Sequence, residues 1–230
     1  MAYSILLMDA DETLLDFRKS EGFALQTALA GHGITMTADI HDRYHEINRV
    51  LWQRLERGEI ERARLKVQRF EELFAYLGVA HLDAAAFNAE YMTILGTKGF
   101  MLDGALELLA ELSQHYTVYI ITNGSASVQH VRLADSGMLP FVKDVFISEE
   151  IGADKPSPAF FEPVLAAIGN PDKRELLVIG DSLTSDIRGG NNVGIDTCWY
   201  APHGEEAPAD ITPTVTVRSY DELRKFLQNA

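Results

Sequence analysis

Short apolar runs constrain the fold of this chain more than any other feature. The runs are largely continuous in hydrophobicity rather than alternating, which is typical of strands buried on both faces in a parallel sheet. They are YSILLM (3–8), TVYIIT (117–122), VKDVFIS (142–148), ELLVIG (175–180) and TCWY (197–200). Stretches with helical spacing separate them, and a last short strand, TVTV, follows a Pro-rich loop. The pattern predicts an α/β fold with a doubly wound parallel sheet.

The segment from about residue 18 to 95 differs from the rest because it has helical spacing and no convincing strand. Tyr44, Ile47 and Leu51 recur at intervals of three and four residues, which places them on one face of a helix. We therefore expect an all-helical insertion with a hinge at each end. The predicted domains are a core of residues 1–15 and 99–230 and an inserted helical cap of residues 16–98.

The charge of the chain restricts its partners. A formal net charge of −14 at pH 7 argues against nucleic acid or an anionic membrane, because both require a basic footprint. The single cysteine, Cys198, allows no internal disulfide, which suits a reducing compartment. The amino-terminal apolar stretch reaches Asp9 too soon for a signal peptide or a membrane span. We therefore expect a cytoplasmic monomer or homodimer that acts on a small molecule.

Polar side chains follow the strands at the points where the apolar runs end. In an open parallel sheet, ligands bind beyond the carboxyl ends of the strands, near the position where the strand order reverses. The residues at these ends are Asp9 and Asp11 after the first run, Thr122, Asn123 and Gly124 after the second, Lys155 beyond the third, and Asp181 with Asp186 after the fourth. All four ends can therefore contribute to one pocket.

These side chains suit a divalent cation beside a phosphate group. Mg²⁺ prefers oxygen ligands, so two carboxylates and a carbonyl suffice to hold it. The Thr122 hydroxyl, free N–H groups at the start of the following helix and the Lys155 ammonium would bind an anion. Each element alone has an ordinary alternative, since aspartates cap helices, Asn123-Gly124 can form a hairpin turn, and most lysines are exposed. The order and spacing of all four favour a site.

The motifs resemble those of the haloacid dehalogenase-like phosphohydrolases, in the same order along the chain. They are Asp9-x-Asp11-x-Thr13, Thr122, Lys155 and Gly180-Asp181-x4-Asp186. The helical insertion is similar to the α-helical cap of one class of that superfamily. Within the superfamily, the chain looks most similar to the bacterial house-cleaning pyrimidine 5'-nucleotidases. That closer resemblance rests on DADETLLDF (9–17), NRVLW (48–52), Arg69-Phe70, ITNG (121–124), ISEEIGADKP (147–156), GDSLTSDI (180–187) and DTCW (196–199).

The resemblance implies that the chain hydrolyses phosphate monoesters with Mg²⁺, through an aspartyl-phosphate. Asp9 would be the nucleophile that takes the phosphoryl group. Asp11 would protonate the leaving alcohol and then activate water as a general base. This second aspartate argues for phosphate ester hydrolysis, because dehalogenases and ATPases of the same superfamily lack it.

The resemblance also implies which residues would bind the phosphate and the metal. Thr122, Asn123 and Lys155 would bind the transferring phosphoryl group and stabilise its charge. The implied Mg²⁺ ligands are Asp9, Asp11 and Asp181, and the implied supporting residues are Thr13, which would brace the motif loop, and Asp186, which would hydrogen bond behind the ligands.

In the cap, the resemblance implies substrate contacts by Asn48, Trp52 and Arg69 when the cap closes. A buried tryptophan is more often a core residue than a platform for a base, and cap arginines more often form a solvated face paired with glutamates. His41 and His45 share a predicted helix face at i and i+4, but a zinc site is not favoured because the sequence offers no third ligand.

Two other functions would use the same strand-end residues. A phosphatase or phosphomutase for sugar phosphates or other small metabolites would share the chemistry and differ only in the cap. A phospho-accepting regulatory module of receiver type also places Asp, Thr and Lys on a parallel sheet, but it keeps its phosphoacceptor in mid-chain and has no inserted cap. We expect a 5'-nucleotidase that acts on pyrimidine nucleoside monophosphates.

Overall fold

A sheet of six parallel strands forms the centre of the fold in the computed structural model, which describes residues 3–229. The strands are β1 (Ile5–Met8), β2 (Thr117–Thr122), β3 (Asp144–Ile147), β4 (Leu176–Gly180), β5 (Asp196–Tyr200) and β6 (Val215–Val217). Their order is β3-β2-β1-β4-β5-β6, and every neighbouring pair is parallel. The predicted doubly wound parallel sheet is therefore confirmed.

The α-helices of residues 3–229 fall into two groups. The consecutive helices α1 (Phe17–Gly31), α2 (Ala38–Glu56), α3 (Arg62–Leu77) and α4 (Ala84–Leu95) lie between β1 and β2 in the chain. The others are α5 (Ala105–Leu112), α6 (Ala126–Asp135), α7 (Ser148–Ile151), α8 (Pro158–Ala167), α9 (Arg188–Val193) and α10 (Tyr220–Asn229). None of these helices combines the length and the apolar character that crossing a membrane requires.

Both faces of the sheet are buried, because successive residues of a strand point to opposite sides. Leu6 and Met8 of β1 pack on one side with Leu109 of α5. Leu7 packs on the other side with Phe160 of α8. All of these side chains are fully buried. Helices on both sides of the sheet explain why the strands are continuous apolar runs instead of alternating ones.

The chain divides into two compact units. One contains the residues up to Asp16 and from Gly99 onward, and the other is Phe17–Lys98. The predicted cap begins at residue 16, whereas the structure places Asp16 in the unit that contains the sheet. The Asp16 N–H donates to the carbonyl of Phe100 at 2.9 Å, which explains this one-residue difference.

Helices α1–α4 enclose a core of aromatic rings. Tyr44 stacks on Phe70 with 5.3 Å between ring centroids, and Phe87 and Tyr91 meet Phe70 edge-on at 4.9 and 5.2 Å. Such geometries contribute stabilisation beyond the buried area alone. Residues 17–98 contain no strand, in agreement with their helical spacing.

Helix α8 shows both the success and the failure of local sequence signals. The Ser157 side chain caps the helix by accepting a hydrogen bond from the N–H of Ala159 at 3.2 Å, and Pro158 is its first residue. The helix then continues through Pro163 to Ala167, although a proline inside a helical stretch predicts a kink or an earlier end. Proline removes only one donor, and burial of Phe160 and Val164 holds the helix in place.

The strand order reverses beside β1, and this reversal positions the candidate site. Met8, the last residue of β1, pairs with Ile120 of β2 on one side and Ile179 of β4 on the other. The chain runs from β1 outward to β3 and then crosses to β4. Residues that follow β1, β2 and β4 therefore emerge together at the carboxyl edge, where parallel sheets bind ligands.

Gly99 allows two backbone segments to approach closely. A Cβ atom on Gly99 would lie 2.0 Å from the carbonyl oxygen of Arg132 in α6. We expect Gly99→Ala to lower the free energy of unfolding by about 1–3 kcal/mol, the usual range for overpacking, as measured by urea denaturation. The control is Gly31→Ala, where the new Cβ would lie 3.2 Å from the flexible carboxylate of Glu90. Equal losses of stability in the two variants would contradict this interpretation.

Candidate active site

Asp9 follows β1 directly and lies in the protein interior. Its N–H donates to the carbonyl of Ile179 in β4 at 2.8 Å, so the sheet still holds the backbone at this residue. The residue is 7% exposed. A carboxylate at such a depth is unfavourable unless a partner compensates its charge.

Lys155 supplies that partner. Its Nζ atom lies 2.6 Å from Asp9 Oδ1, 2.7 Å from Asp186 Oδ1 and 2.8 Å from the carbonyl oxygen of Ile121. The three ammonium hydrogens thus have three acceptors. Burial alone would lower the pKa of Lys155, but the charges of Asp186 and Asp9 raise it above its usual value. Lys155 is 1% exposed, which rules out the alternative of an ordinary surface lysine.

Asn123 fixes the main chain of Lys155 through its side-chain amide. Asn123 Oδ1 accepts from the Lys155 N–H, and Asn123 Nδ2 donates to the Lys155 carbonyl, both at 2.9 Å. This reciprocal pair joins the end of β2 to the loop that carries Lys155. The sequence predicted a contact of Asn123 with phosphate and missed this use of its side chain.

Asp9, Asp181 and Asp186 bring three carboxylates together. One oxygen of each lies within 4.8 Å of the other two, and no other set of three His, Cys, Asp or Glu residues is so close within residues 3–229. Burial raises the pKa of Asp9 and of Asp181 above the usual value, and the neighbouring carboxylates act in the same direction, while Lys155 opposes them. One ammonium faces three acids, so each ionised carboxylate is unfavourable here until a further cation compensates it.

Thr13 and Trp199 hold the main chain at Asp181. The Asp181 N–H donates to Thr13 Oγ1 at 3.0 Å, and Trp199 Nε1 donates to the Asp181 carbonyl at 2.7 Å. Thr13 Oγ1 also donates to Asp181 Oδ1 at 3.4 Å, and the Tyr220 hydroxyl donates to the Thr13 carbonyl at 2.8 Å. These bonds tie the loop after β1 to the loop after β4.

Asp186 lies in a π-helical turn, Leu183–Ile187, that leads into α9. Its Oδ2 accepts from the N–H of Ser182 at 3.1 Å, while its Oδ1 accepts from Lys155. Gly180 makes the approach possible, because a Cβ there would lie 2.3 Å from the Asp186 carboxylate. Both carboxylate oxygens of Asp186 therefore have partners within the protein.

Asp11 is bound to helix α6 and not to the acidic cluster. Asp11 Oδ1 accepts from Arg132 Nη1 at 2.7 Å, and Asp11 Oδ2 accepts from Gln129 Nε2 at 2.9 Å. The sequence predicted Asp9, Asp11 and Asp181 as metal ligands, and in the structure the carboxylate of Asp11 lies outside the cluster of Asp9, Asp181 and Asp186. The reason is that two donors of α6, each 1% exposed, occupy both Asp11 oxygens. The sequence did not reveal Gln129 and Arg132 as site residues.

Thr122 ends β2 and is 1% exposed. Its Oγ1 accepts from Gln129 Nε2 at 2.8 Å. In the first turn of α6, the Ala126 N–H donates to Glu149 Oε2 at 2.9 Å. The expectation that this helix start offers free N–H groups was therefore wrong at Ala126, because a carboxylate from α7 already occupies that position.

The cap residues with predicted substrate contacts have defined partners within the helical unit. Asn48 and Arg69 are each 3% exposed. Arg69 donates from Nη1 to Asn48 Oδ1 at 3.3 Å and from Nη2 to Asn88 Oδ1 at 2.7 Å. Trp52 is partly buried, and the guanidinium of Arg62 lies 5.2 Å from the centre of its ring. Arg69 thus differs from exposed cap arginines and belongs to a buried polar group.

Glu21 completes this buried polar group and was not expected. It is fully buried, and its Oε1 accepts from Asn48 Nδ2 at 2.9 Å. Its Oε2 lies 2.7 Å from His45 Nδ1 and 3.8 Å from His41 Nε2. The two histidines on one face of α2 therefore flank an acid on α1.

The residues of the acidic cluster fit a divalent cation. Carboxylate oxygens are the ligands that Mg²⁺ prefers, and three acids share the single ammonium of Lys155 here. The fold and this site together define a class of α/β proteins with a cluster of acids at the carboxyl edge of a parallel sheet. The chain belongs to the haloacid dehalogenase-like hydrolases, and this family matches residues 3–194.

Similar proteins extend over almost the whole chain. It is 41% identical over 224 residues to pyrimidine 5'-nucleotidase PynA of Streptococcus pneumoniae. The aligned residues cover 97% of this chain and 94% of the relative. It is 35% identical over 227 residues to pyrimidine 5'-nucleotidase YjjG of Escherichia coli, with 99% of each chain covered. A crystal structure of the hydrolase YfnB from Bacillus subtilis bound to magnesium is similar with a TM-score of 0.94 and 37% identity, over 99% of each chain.

The repulsion within the acidic cluster leads to a testable prediction for Asp181→Asn. In EDTA, we expect this variant to unfold about 2–4 °C above the parent chain, the shift that roughly 1 kcal/mol produces at this size. Added Mg²⁺ should raise the unfolding temperature of the parent chain and have little effect on the variant, because a bound ion stabilises the folded state. Differential scanning fluorimetry measures both shifts.

The control for this prediction is Asp210→Asn, which breaks an exposed pair with Arg188. Exposed pairs contribute little to stability, so this variant should retain both the unfolding temperature and the response to Mg²⁺. An undiminished Mg²⁺ response in Asp181→Asn would show that the acidic cluster does not bind the ion.

Proposed function

We propose that the chain is a Mg²⁺-dependent phosphatase that hydrolyses pyrimidine nucleoside monophosphates through an aspartyl-phosphate. The observation that carries the proposal is the Lys155 ammonium bonded to both Asp9 and Asp186 beside Asp181. The Lys155 ammonium favours the anionic form of the Asp9 carboxylate against the effect of burial, and a nucleophile requires that form.

In the first step, a carboxylate oxygen of Asp9 would attack phosphorus. The Asp9–phosphorus bond forms while the bond from phosphorus to the ester oxygen breaks, and the leaving oxygen takes a proton from Asp11. Thr122 would donate its hydroxyl hydrogen to a phosphoryl oxygen. Because its three hydrogens are already used, Lys155 would act on the phosphoryl group through its charge.

In the second step, water would attack phosphorus of the aspartyl-phosphate. The water gives a proton to Asp11, the bond from phosphorus to Asp9 breaks, and inorganic phosphate leaves. Asp11 thereby regains the proton that it gave to the leaving alcohol, so one residue serves both steps.

The carboxylates of Asp9 and Asp181 would bind Mg²⁺, and Asp186 would support them through its bond to Lys155. Asp11 would contribute its main-chain carbonyl, since Gln129 and Arg132 bind its carboxylate. Mg²⁺, when bound, offsets the charge of the carboxylates and of the substrate phosphate.

The choice of pyrimidine nucleotides is supported by the names of the relatives PynA and YjjG. Asn48, Trp52 and Arg69 would be the substrate contacts of the helical unit in this proposal, and contacts by Asn48 and Arg69 would require an exchange of their present partners Glu21 and Asn88. A small anionic substrate, a cytoplasmic location and a monomeric or homodimeric state belong to the same proposal, and the acidic charge of the chain argues against nucleic acid as a partner.

A turnover panel tests this function. We expect kcat/KM for pyrimidine nucleoside monophosphates to exceed that for hexose phosphates at least tenfold, about 1.4 kcal/mol in transition-state binding. EDTA should abolish phosphate release. Asp9→Asn should keep the circular dichroism spectrum and lower turnover more than about a thousandfold, because the nucleophile is lost while its volume stays.

The same panel distinguishes the alternatives. A tenfold preference for hexose phosphates would show that the chain is a phosphatase for sugar phosphates and not a nucleotidase. A long-lived phosphoenzyme without catalytic phosphate release would instead favour a receiver-type module. Full activity of Asp9→Asn would contradict the aspartyl-phosphate mechanism itself.

A further inference from the structure

Two side chains of α6 connect the residues that the proposed function assigns to phosphate binding and to proton transfer. We propose that Gln129 and Arg132 are positioning residues of the reaction, which orient the Thr122 hydroxyl and the Asp11 carboxylate together. This inference rests on the proposed function for the roles of Thr122 and Asp11. The positioning itself rests on four hydrogen bonds, two of which join α6, the helix after β2, to Asp11 in the loop after β1.

Gln129 bridges the two strand ends with a single amide nitrogen. Its Nε2 donates to Thr122 Oγ1 at 2.8 Å and to Asp11 Oδ2 at 2.9 Å. A glutamine amide has two N–H hydrogens, so both are used, one on each residue. The distance between the two reacting groups is therefore set by one planar amide.

This geometry determines the direction of the Thr122 hydroxyl. A hydroxyl that accepts a hydrogen bond from an amide directs its own hydrogen to a different acceptor. Gln129 therefore prevents Thr122 from donating toward α6 and leaves its hydrogen for a phosphoryl oxygen. Preorganised donors of this kind need no reorientation when charge develops in the transition state.

Arg132 determines the orientation of the Gln129 side-chain amide, that is, which of its two sides carries the oxygen. Arg132 Nη1 donates to Gln129 Oε1 at 2.8 Å and to Asp11 Oδ1 at 2.7 Å. If the Gln129 amide were reversed, its NH₂ group would face a cation that only donates hydrogen bonds. Arg132 thus selects the amide orientation that serves Thr122 and Asp11.

Several features show that this arrangement is built into the fold. Gln129 and Arg132 are three residues apart, so they share one face of α6, and each is only 1% exposed. Gly124 leaves the space that Gln129 occupies, since a Cβ at Gly124 would lie 2.3 Å from Gln129 Cγ. Buried polar groups are unfavourable unless they are paired, and the pairing here is to the two groups that would react.

The test is a comparison of leaving groups in Gln129→Met and in Gln129→Glu. Gln129→Met keeps the length of the side chain but has no hydrogen-bond donor. Gln129→Glu keeps the shape of the side chain but has an oxygen, which cannot donate, at the position of Nε2. The readout is kcat/KM, which reports transfer of the phosphoryl group to the enzyme. The substrates are the best alkyl phosphate of the turnover panel and p-nitrophenyl phosphate, whose leaving group depends little on a general acid.

We expect both variants to lose about a hundredfold in kcat/KM on the alkyl phosphate, because a positioned general acid contributes about 10²–10⁴. On p-nitrophenyl phosphate the loss should be about tenfold, since only the Thr122 contact matters there. His130→Gln, on the same helix, alters an exposed pair with Glu150 and should change neither value more than about twofold.

Equal losses on the two substrates, or no loss in either Gln129 variant, would overturn the proposal. A role in packing alone would leave Gln129→Met active, because the length of the buried side chain is kept. Failure of the proposed function gives a different result. The parent chain would then prefer an alkyl phosphate that is not a pyrimidine nucleotide, and the two leaving groups can still be compared with that substrate. Unfolding temperatures of all variants show whether a loss reflects misfolding.

Discussion

The Lys155 ammonium is the interaction on which the rest of the site depends. Asp9 and Asp186 come from different strand ends, and their carboxylates lie in a region where burial raises the pKa of Asp9. Without a cation they would repel one another and lose hydration. Lys155 satisfies both, together with the Ile121 carbonyl, by using all three of its hydrogens. Asn123 then holds the main chain of Lys155 from the end of β2.

A second set of bonds extends from this centre to α6. Arg132 and Gln129 bind Asp11, and Gln129 also binds Thr122. The acidic cluster and the Asp11 side chain thus have separate supports, Lys155 for Asp9 and α6 for Asp11. Aspartates two residues apart have different partners because the loop after β1 directs one toward Lys155 and the other toward α6. The helical unit contains its own buried polar group, formed by Glu21, Asn48 and Arg69.

The sequence was sufficient to predict the parallel sheet and the residues at its carboxyl edge, because both follow from local signals. Apolar runs identify strands, and polar residues at their ends identify the ligand edge. The sequence did not reveal Gln129, Arg132 or Glu21, since a polar residue on a helix is ordinarily exposed. Only tertiary packing shows that these three are buried. The same limit explains why the sequence did not reveal the partners of the Asp11 carboxylate, because spacing along the chain does not determine where a side chain points.

The stability of Lys155→Met tests the central role of this ammonium most directly. We predict that urea denaturation in EDTA shows a loss of at least about 3 kcal/mol, as expected when buried acids lose their cation. Lys143→Met, at an exposed lysine, should lose less than about 0.5 kcal/mol. Adding Asp186→Asn to Lys155→Met should recover part of the loss, because one uncompensated charge is removed. An unchanged stability of Lys155→Met, or a further loss in the double variant, would contradict the account.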